Sequence, residues 1–213
     1  MEQVYNLVFC TDSKGGISRD NSIPWKIQED SQYFRDLINI KPTGFKNIYI
    51  MGRKTYEQMK ELIKDNIVII ITSQTILTNN IITATNLNII PDIVKNIIEN
   101  NNIYKTFVLG GSNVYNYFFK HYYKHKLVIY WNLINYNYSC DNFIDKYIFG
   151  YLDSQRRLLI SDVTIKCFDT KNNNQIELIV HRPFAMNNSL KITEIEINQD
   201  DYLLPYRSEQ LEN

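Results

Sequence analysis

The residues of this sequence best suited to chemistry gather around one acid. A glycine pair, Gly15-Gly16, opens the run Ile17-Ser18-Arg19-Asp20-Asn21-Ser22-Ile23-Pro24-Trp25, and Asp30 and Phe34 follow. Glycines after a strand let the backbone approach a ligand where a side chain would collide. Proline fixes the turn, and Trp25 can wall a pocket while its indole N–H finds a polar partner. Asp30 and Phe34 are one helical turn apart, which puts a carboxylate and an aromatic ring on one face. A planar heterocycle with an amidine-like edge wants that pairing: a ring to stack on and a carboxylate for its N–H groups. The alternative is structural, with a loop, a core tryptophan and an acid favoured by the positive end of a helix. These residues alone leave both open.

Two further segments suit anions. In Tyr49-Ile50-Met51-Gly52-Arg53-Lys54-Thr55, a strand meets a glycine, two bases and a threonine at a helix start. Thr72-Ser73, after the next apolar run, adds hydroxyls beside it. In Phe107-Val108-Leu109-Gly110-Gly111-Ser112-Asn113-Val114-Tyr115, two glycines between strand and helix expose N–H groups suited to a pyrophosphate. This is not the GxGxxG fingerprint of dinucleotide folds. Taken singly, each segment is also an ordinary turn.

Holding these segments in place requires strands that end where they begin. Residues 4–10 read as a first, buried strand because they lack alternation. Residues 26–40 read as a helix with Ile27, Phe34, Leu37 and Ile38 near one face. Strands are expected at 48–51, 67–71, near 81, at 106–109 and at 127–134, with helices at 55–62, 91–99 and 114–120. Residues 163–168 and 176–181 read as a hairpin around Lys171-Asn172-Asn173-Asn174. The class is α/β: a mostly parallel central sheet with an antiparallel C-terminal hairpin and flanking helices. From Phe184 the apolar periodicity fades and acids accumulate. Residues 1–183 therefore read as the domain and 184–213 as a tail or linker.

A length of 213 residues fits one sizeable core. Lys plus Arg and Asp plus Glu both number 23, so neither nucleic acid nor an anionic membrane is expected as a main partner. Cys10, Cys140 and Cys167 are far apart without CxxC spacing, so reduced, buried thiols are expected and no metal site. The N-terminal apolar run is too short for a signal peptide, and the longest one, 67–71, is too short for a bilayer. A soluble, cytoplasmic protein is the expectation.

In order and at this spacing, the segments resemble dihydrofolate reductase. The likeness rests on Gly16-Ile17, Pro24-Trp25, Asp30 on the next helix, Met51-Gly52-Arg53 with Thr55, the strand ending at Thr72, and Gly110-Gly111 with Tyr115. It covers roughly residues 4–143, including Cys140-Asp141-Asn142-Phe143, similar to the family's late aspartate-containing turn. The resemblance implies reduction of dihydrofolate with NADPH, a hydride passing from nicotinamide C4 to pterin C6 while N5 is protonated. By position it implies catalytic roles for Asp30, which holds the pterin amino group and ring N–H with a raised pKa, and for Trp25. It implies Val8, Ile23, Ser31, Phe34, Met59 and Ile63 on the substrate side, with Leu109 shared between substrate and cofactor. On the cofactor side it implies Cys10, Gly16, Ile17, Gly52, Arg53, Lys54, Thr55, Thr72, Ser73, Gly110, Gly111, Ser112, Asn113, Val114 and Tyr115. The 15–23 loop becomes a mobile lid, and the Gly110–Gly111 peptide is expected to be cis.

Three departures qualify this. Asn66 stands where the family carries an arginine for the folate α-carboxylate, so dependence on the glutamate tail is expected to be weak unless Lys64 or Arg35 compensates. The threonine that bonds the pterin-binding acid is replaced by Asn132, or by Tyr130 if the alignment carries an insertion. Ser18 replaces a lid glycine. Two other readings stay open: a reductase of pteridine or riboflavin precursors, and a degenerate protein that binds NADPH or folate without turnover. The oligomeric state is left open, with a monomer the simplest case.

Overall fold

A computed structural model describes residues 3–74, 76, 80–121, 126–156, 162–181, 183–186 and 192–194. Its centre is a parallel ladder. Strand β1 (Val4–Thr11) lies between β6 (Ile103–Gly110) and β7 (Lys126–Ile134), and β3 (Lys46–Gly52) continues the sheet through β4 (Ile67–Ile71) to β5 (Ile81–Ala84). Each of these neighbours pairs in parallel. Helices α1 (Gln28–Asn39), α2 (Arg53–Met59), α3 (Ile90–Asn100) and α4 (Ser112–His121) make the crossovers that parallel strands require. Pro91 sits in the first turn of α3, where its missing N–H breaks no helical bond.

Both faces of the sheet are covered, which explains the unbroken apolar strands. On β1, Tyr5, Leu7 and Phe9 enter one core with Trp131 and Phe118, while Val8 enters the other with Tyr49 and Phe107. The second core holds the buried face of α1, whose Tyr33, Leu37 and Ile38 are buried. Phe34, expected on that face, is only partly buried and turns toward a cleft instead.

The far side of β7 is antiparallel. Strands β9 (Val163–Asp169) and β10 (Asn174–Val180) form the expected hairpin, and β10 pairs with residues 132–134 of β7. Before the C-terminal strands, three elements were not foreseen as such. Strand β2 (Gly16–Ser18) pairs with β8 (Asn142–Phe143) in a separate two-stranded ladder, and helix α5 (Lys146–Arg156) follows β8. Gly16-Ile17-Ser18 is too short and too glycine-rich to announce a strand by pattern.

The boundary expected after residue 183 falls too early. Strand β11 (Phe184–Met186) pairs with residues 127–129 of β7, and β12 (Ile192–Glu194) pairs with β11. Phe184, Ala185 and Met186 are all buried. Three residues carry too little periodicity to be read as a strand, and Pro183 just before them looks like an end. In the fold it only interrupts the ladder, since proline cannot donate to it. The rest of the expected tail, 187–191 and 195–213, lies outside the described residues. Among the described residues, no helix is long and apolar enough to cross a membrane.

If β11 is part of the core, Phe184→Ala will lower the unfolding free energy by about 3–5 kcal/mol in urea titration. A loss below about 1 kcal/mol would place the segment outside the cooperative unit.

Candidate active site

The parallel strands β1, β3, β4 and β6 end on one edge of the sheet, where ligands of open α/β folds bind. There the structure holds a cleft of about 720 Å³. Asp30, Ser31, Phe34 and Arg35 of α1, with Met59 and Leu62, make one wall. Gly52 to Thr55, Thr72, Ser73 and Gly111 to Tyr115 make the other. Val8, Cys10 and Asn132 line it from the central strands, and Ile17, Ser18, Asn21, Ile23 and Asn142 from the loop above. The acid, the basic turn and the glycine turn, separate in sequence, thus face one space.

Asp30 is the carboxylate that lines this cleft. Its Oδ1 accepts from Asn132 Nδ2 at 2.8 Å. Burial pushes the Asp30 pKa up, while hydrogen bonds from Asn132, Cys10 and Trp25 oppose the rise without cancelling it. Cys10 is half-buried, where the thiols were expected to be fully buried, and the loss of water around its sulfur together with the Asp30 charge holds the thiol protonated well above the usual range. Of Asn132 and Tyr130, it is Asn132 that bonds Asp30, and it stands level with Cys10 where β1 and β7 pair, beyond the pairing of Val8 with Tyr130. Cys10 and Asn132 both reach Asp30, so the face that carries them is the cleft face.

Three expected residues do not line the cleft. Ile63 is buried in the core, and Leu62, turned by its N–H bond to the Met59 carbonyl, takes the lining place. Gly16 sits at the root of the loop, where a Cβ would strike Cys140 and Asp12. Gly110 has φ of +93° and its missing Cβ makes room for the Tyr115 ring. Tyr115 Oη donates to the Val8 carbonyl at 2.6 Å, joining α4 to β1 beneath the cleft. The Gly110–Gly111 peptide is cis.

The 15–23 loop lies over the cleft and is fastened at its middle and at its tip. Asp141 N donates to Ser18 O at 3.0 Å, and Asp20 N donates to Asp141 Oδ2 at 2.8 Å. That second bond leads the causes that hold the Asp141 carboxyl below the usual range. At the tip, Lys54 Nζ and Gln58 Nε2 of α2 donate to Asn21 Oδ1 and O at 2.6 and 2.8 Å. Asn21 has φ of +59°, a left-handed turn that asparagine tolerates. Asn21 and Gln58 are lining residues that the sequence reading missed; the Asn in a turn before Pro-Trp was the available signal.

Asn66 is 2% exposed and structural: its Oδ1 accepts from Lys41 Nζ at 2.7 Å and from Asn47 N at 3.0 Å. Lys64 pairs with Glu61 at 2.5 Å in solvent, and neither lines the cleft. Arg35 does.

The family model for dihydrofolate reductase matches residues 4–156. The chain belongs to the dihydrofolate reductase family. It is similar to the dihydrofolate reductase of Schistosoma mansoni, 28% identical over 114 residues, which cover 52% of this chain and 61% of that protein. It is also similar to bifunctional dihydrofolate reductase-thymidylate synthase 2 of Arabidopsis thaliana, 26% identical over 53% of this chain and 21% of that one. A third relative is segregation and condensation protein A of Mycoplasmoides gallisepticum, 32% identical over 65% of this chain and 21% of that one. The matches thus span from 21% to 61% of the length of these relatives. The family match ends before the β9–β10 hairpin, which nonetheless completes the dihydrofolate reductase-like sheet by covering the outer edge of β7.

Substituting Gly110→Ala is expected to displace the Tyr115 ring and to cost at least about 2 kcal/mol in chemical denaturation. Tyr115→Phe, which loses only the bond to Val8, should cost about 1 kcal/mol. Equal, small losses would show that Tyr115 does not depend on the missing Cβ.

Proposed function

We propose that this chain reduces 7,8-dihydrofolate to tetrahydrofolate with NADPH. The observation that carries the reading is Asp30, a carboxylate of raised pKa held by uncharged donors in a cleft it shares with a glycine turn and a basic turn. The proposal extends to the site residues named above from the resemblance, with Leu62 in place of Ile63 as a lining residue.

The cofactor side fits a dinucleotide. Ser112 and Asn113 open α4 and line the cleft, and first-turn N–H groups have no carbonyl partner within a helix. Gly111 offers backbone where the nearest atom to an added Cβ would be Thr55 Oγ1, at 3.8 Å. Arg53 and Lys54, both exposed beside Thr72 and Ser73, supply cations and hydroxyls for an additional phosphate, which favours NADPH over NADH. Bound nicotinamide supplies the hydride; the protein supplies alignment and exclusion of water.

Asp30 accepts the N–H edge of the pterin. Because its pKa is raised, it remains protonated to higher pH than an ordinary aspartate and serves as the local proton source, relayed by water toward N5. Ile17 and Ile23 of the lid cover the site, while Phe34 and Met59 give apolar contact for the aminobenzoyl ring. Arg35, a helical turn beyond Ser31, is the cation available for the carboxylate tail.

The deciding assay is NADPH oxidation with dihydrofolate, and a silent wild type ends the proposal. Turnover should fall as pH rises through the raised Asp30 pKa, since the protonated form is the donor. At neutral pH Asp30→Asn should lose on the order of 100-fold or more, regaining rate as pH falls and solvent supplies the proton. Full retention at pH 7 would remove Asp30 from the role. Arg35→Ala should raise KM for dihydrofolate about tenfold with kcat little changed, and leave a tail-less dihydropterin unaffected. Unchanged KM values would leave the tail without a protein cation.

A further inference from the structure

Behind Trp25, outside the cleft lining, two carboxylates are fully buried: Asp12 and Asp169. Neither is in an ion pair among the described residues. Uncharged donors satisfy both. Asp12 Oδ1 accepts from Lys14 N and Gly16 N at 2.9 and 2.8 Å, at the root of the lid. Asp169 Oδ1 accepts from Lys26 N at 2.9 Å, the residue after Trp25, and from Lys171 N at 3.0 Å.

Tyr138 joins the two. Its backbone N–H donates to Asp12 Oδ2 at 3.1 Å and its phenol donates to Asp169 Oδ2 at 2.7 Å. Between these anchors its ring packs against Trp25, with centroids 5.1 Å apart and planes inclined at 46°. The β9–β10 turn grips the same segment from outside. Thr170 N donates to Lys26 O at 3.1 Å, Asn172 Nδ2 to Pro24 O at 2.8 Å, and Lys171 Nζ to Ile23 O at 2.7 Å. Burial pushes the Asp169 pKa up, but the bonds from Lys26, Asn172, Tyr138 and Lys171 outweigh it and hold the carboxyl below its ordinary value. The group is therefore an anion at neutral pH and its hydrogen bonds are charge-assisted.

A buried anion bonded on both oxygens fixes direction as well as distance. Trp25 shares the cleft lining with Asp30 and restrains the rise of its pKa, so its tilt bears on that acid. We propose that Tyr138 and Asp169 are positioning residues that hold Trp25 against Asp30 and tie its tilt to the root of the lid at Asp12 and Gly16. The kinetic consequence rests on the proposed reductase reading; the mechanical coupling does not.

Tyr138→Phe removes one oxygen and leaves the ring and the core volume. Amide hydrogen exchange on the ligand-free chain reads the coupling without any activity. Exchange at Lys26 should quicken about tenfold, the scale of one lost charge-assisted bond, while amides of β1 and β6 keep their protection. Unchanged protection at Lys26, or one factor of acceleration throughout, makes Tyr138 a packing residue and overturns the proposal. If Tyr138→Phe does not fold, Asn172→Ala, at an exposed turn position, removes the bonds to Pro24 and Asp169 and is held to the same two outcomes. In the kinetic arm, loosening Trp25 removes an interaction that lowers the Asp30 pKa. The pH profile of dihydrofolate reduction should then move upward, with kcat reduced several-fold and KM within about twofold. A wild type without turnover defeats the reductase reading and leaves the exchange result standing. An active wild type whose profile Tyr138→Phe reproduces defeats the link to Asp30.

Discussion

In the parallel ladder between β1 and β7, Cys10 stands opposite Asn132 and Val8 opposite Tyr130. Because side chains alternate, slipping this pairing by one residue would send Cys10 and Asn132 to opposite faces and empty the floor of the cleft. The ladder is held along its whole length, from Val4 with Lys126 to Thr11 with Leu133. Trp131, fully buried on the opposite face, donates its indole N–H to Thr11 Oγ1 at 2.9 Å. Beyond β7, strands β10 and β11 share its outer edge, so the floor is a central element of the sheet. Among the described residues the antiparallel region contributes no lining residue, but it covers the outer edge of that floor.

On that floor Asp30 is caught between two opposed demands. An apolar wall raises its pKa, and donors from Asn132, Cys10 and Trp25 restrain the rise. A fixed cation beside it would lower the pKa much further and lock the group ionised. Neutral donors restrain the rise without locking the group ionised as a cation would, which suits acid–base chemistry. The cations of the cleft, Arg35, Arg53 and Lys54, lie toward its exposed margins. In the proposed reaction that separation keeps the anion-binding parts of both ligands away from the proton donor. It also costs stability, since a raised carboxyl pKa destabilises the folded state above that pKa, the usual compromise at an active site.

The strands of the parallel sheet were legible because short β-branched and aromatic segments bounded by turn residues, such as Ile67–Ile71, read as buried strands. The three chemical segments were legible because each lies at a strand end. Ladder partners were not. It is Asn132 and not Tyr130 that bonds Asp30, standing level with Cys10 in a ladder whose register one sequence does not carry. Phe184 to Met186 was read as tail because three apolar residues after a proline give no period to detect, although they are buried. Tyr138 and Asp169 went unnoticed for a different reason. Their partners lie more than thirty or a hundred residues away, at separations of 31 and 143, and a tyrosine or an aspartate in a turn looks ordinary until it is buried.

Asn66 fills a structural place where the family resemblance expects a substrate-binding arginine. Its carboxamide ties Lys41 and the backbone of Asn47 together, so the position is committed to the junction between α1 and β3. The burden then falls on α1 itself, which presents Asp30, Ser31, Phe34 and Arg35 to the cleft. On the proposed reading, one helix holds both polar ends of the substrate with an aromatic contact between them. A rigid helix keeps those groups at fixed separation, which favours a substrate of one length and needs no closure to bring them together. The weakness of the arrangement is solvent. Arg35 is exposed and its guanidinium Nη2 donates to Gln32 Oε1 at 3.2 Å, so its attraction for a carboxylate is screened by salt. Grip on the tail is therefore conditional on ionic strength, whereas recognition of the pterin edge by Asp30, inside the cleft, is not.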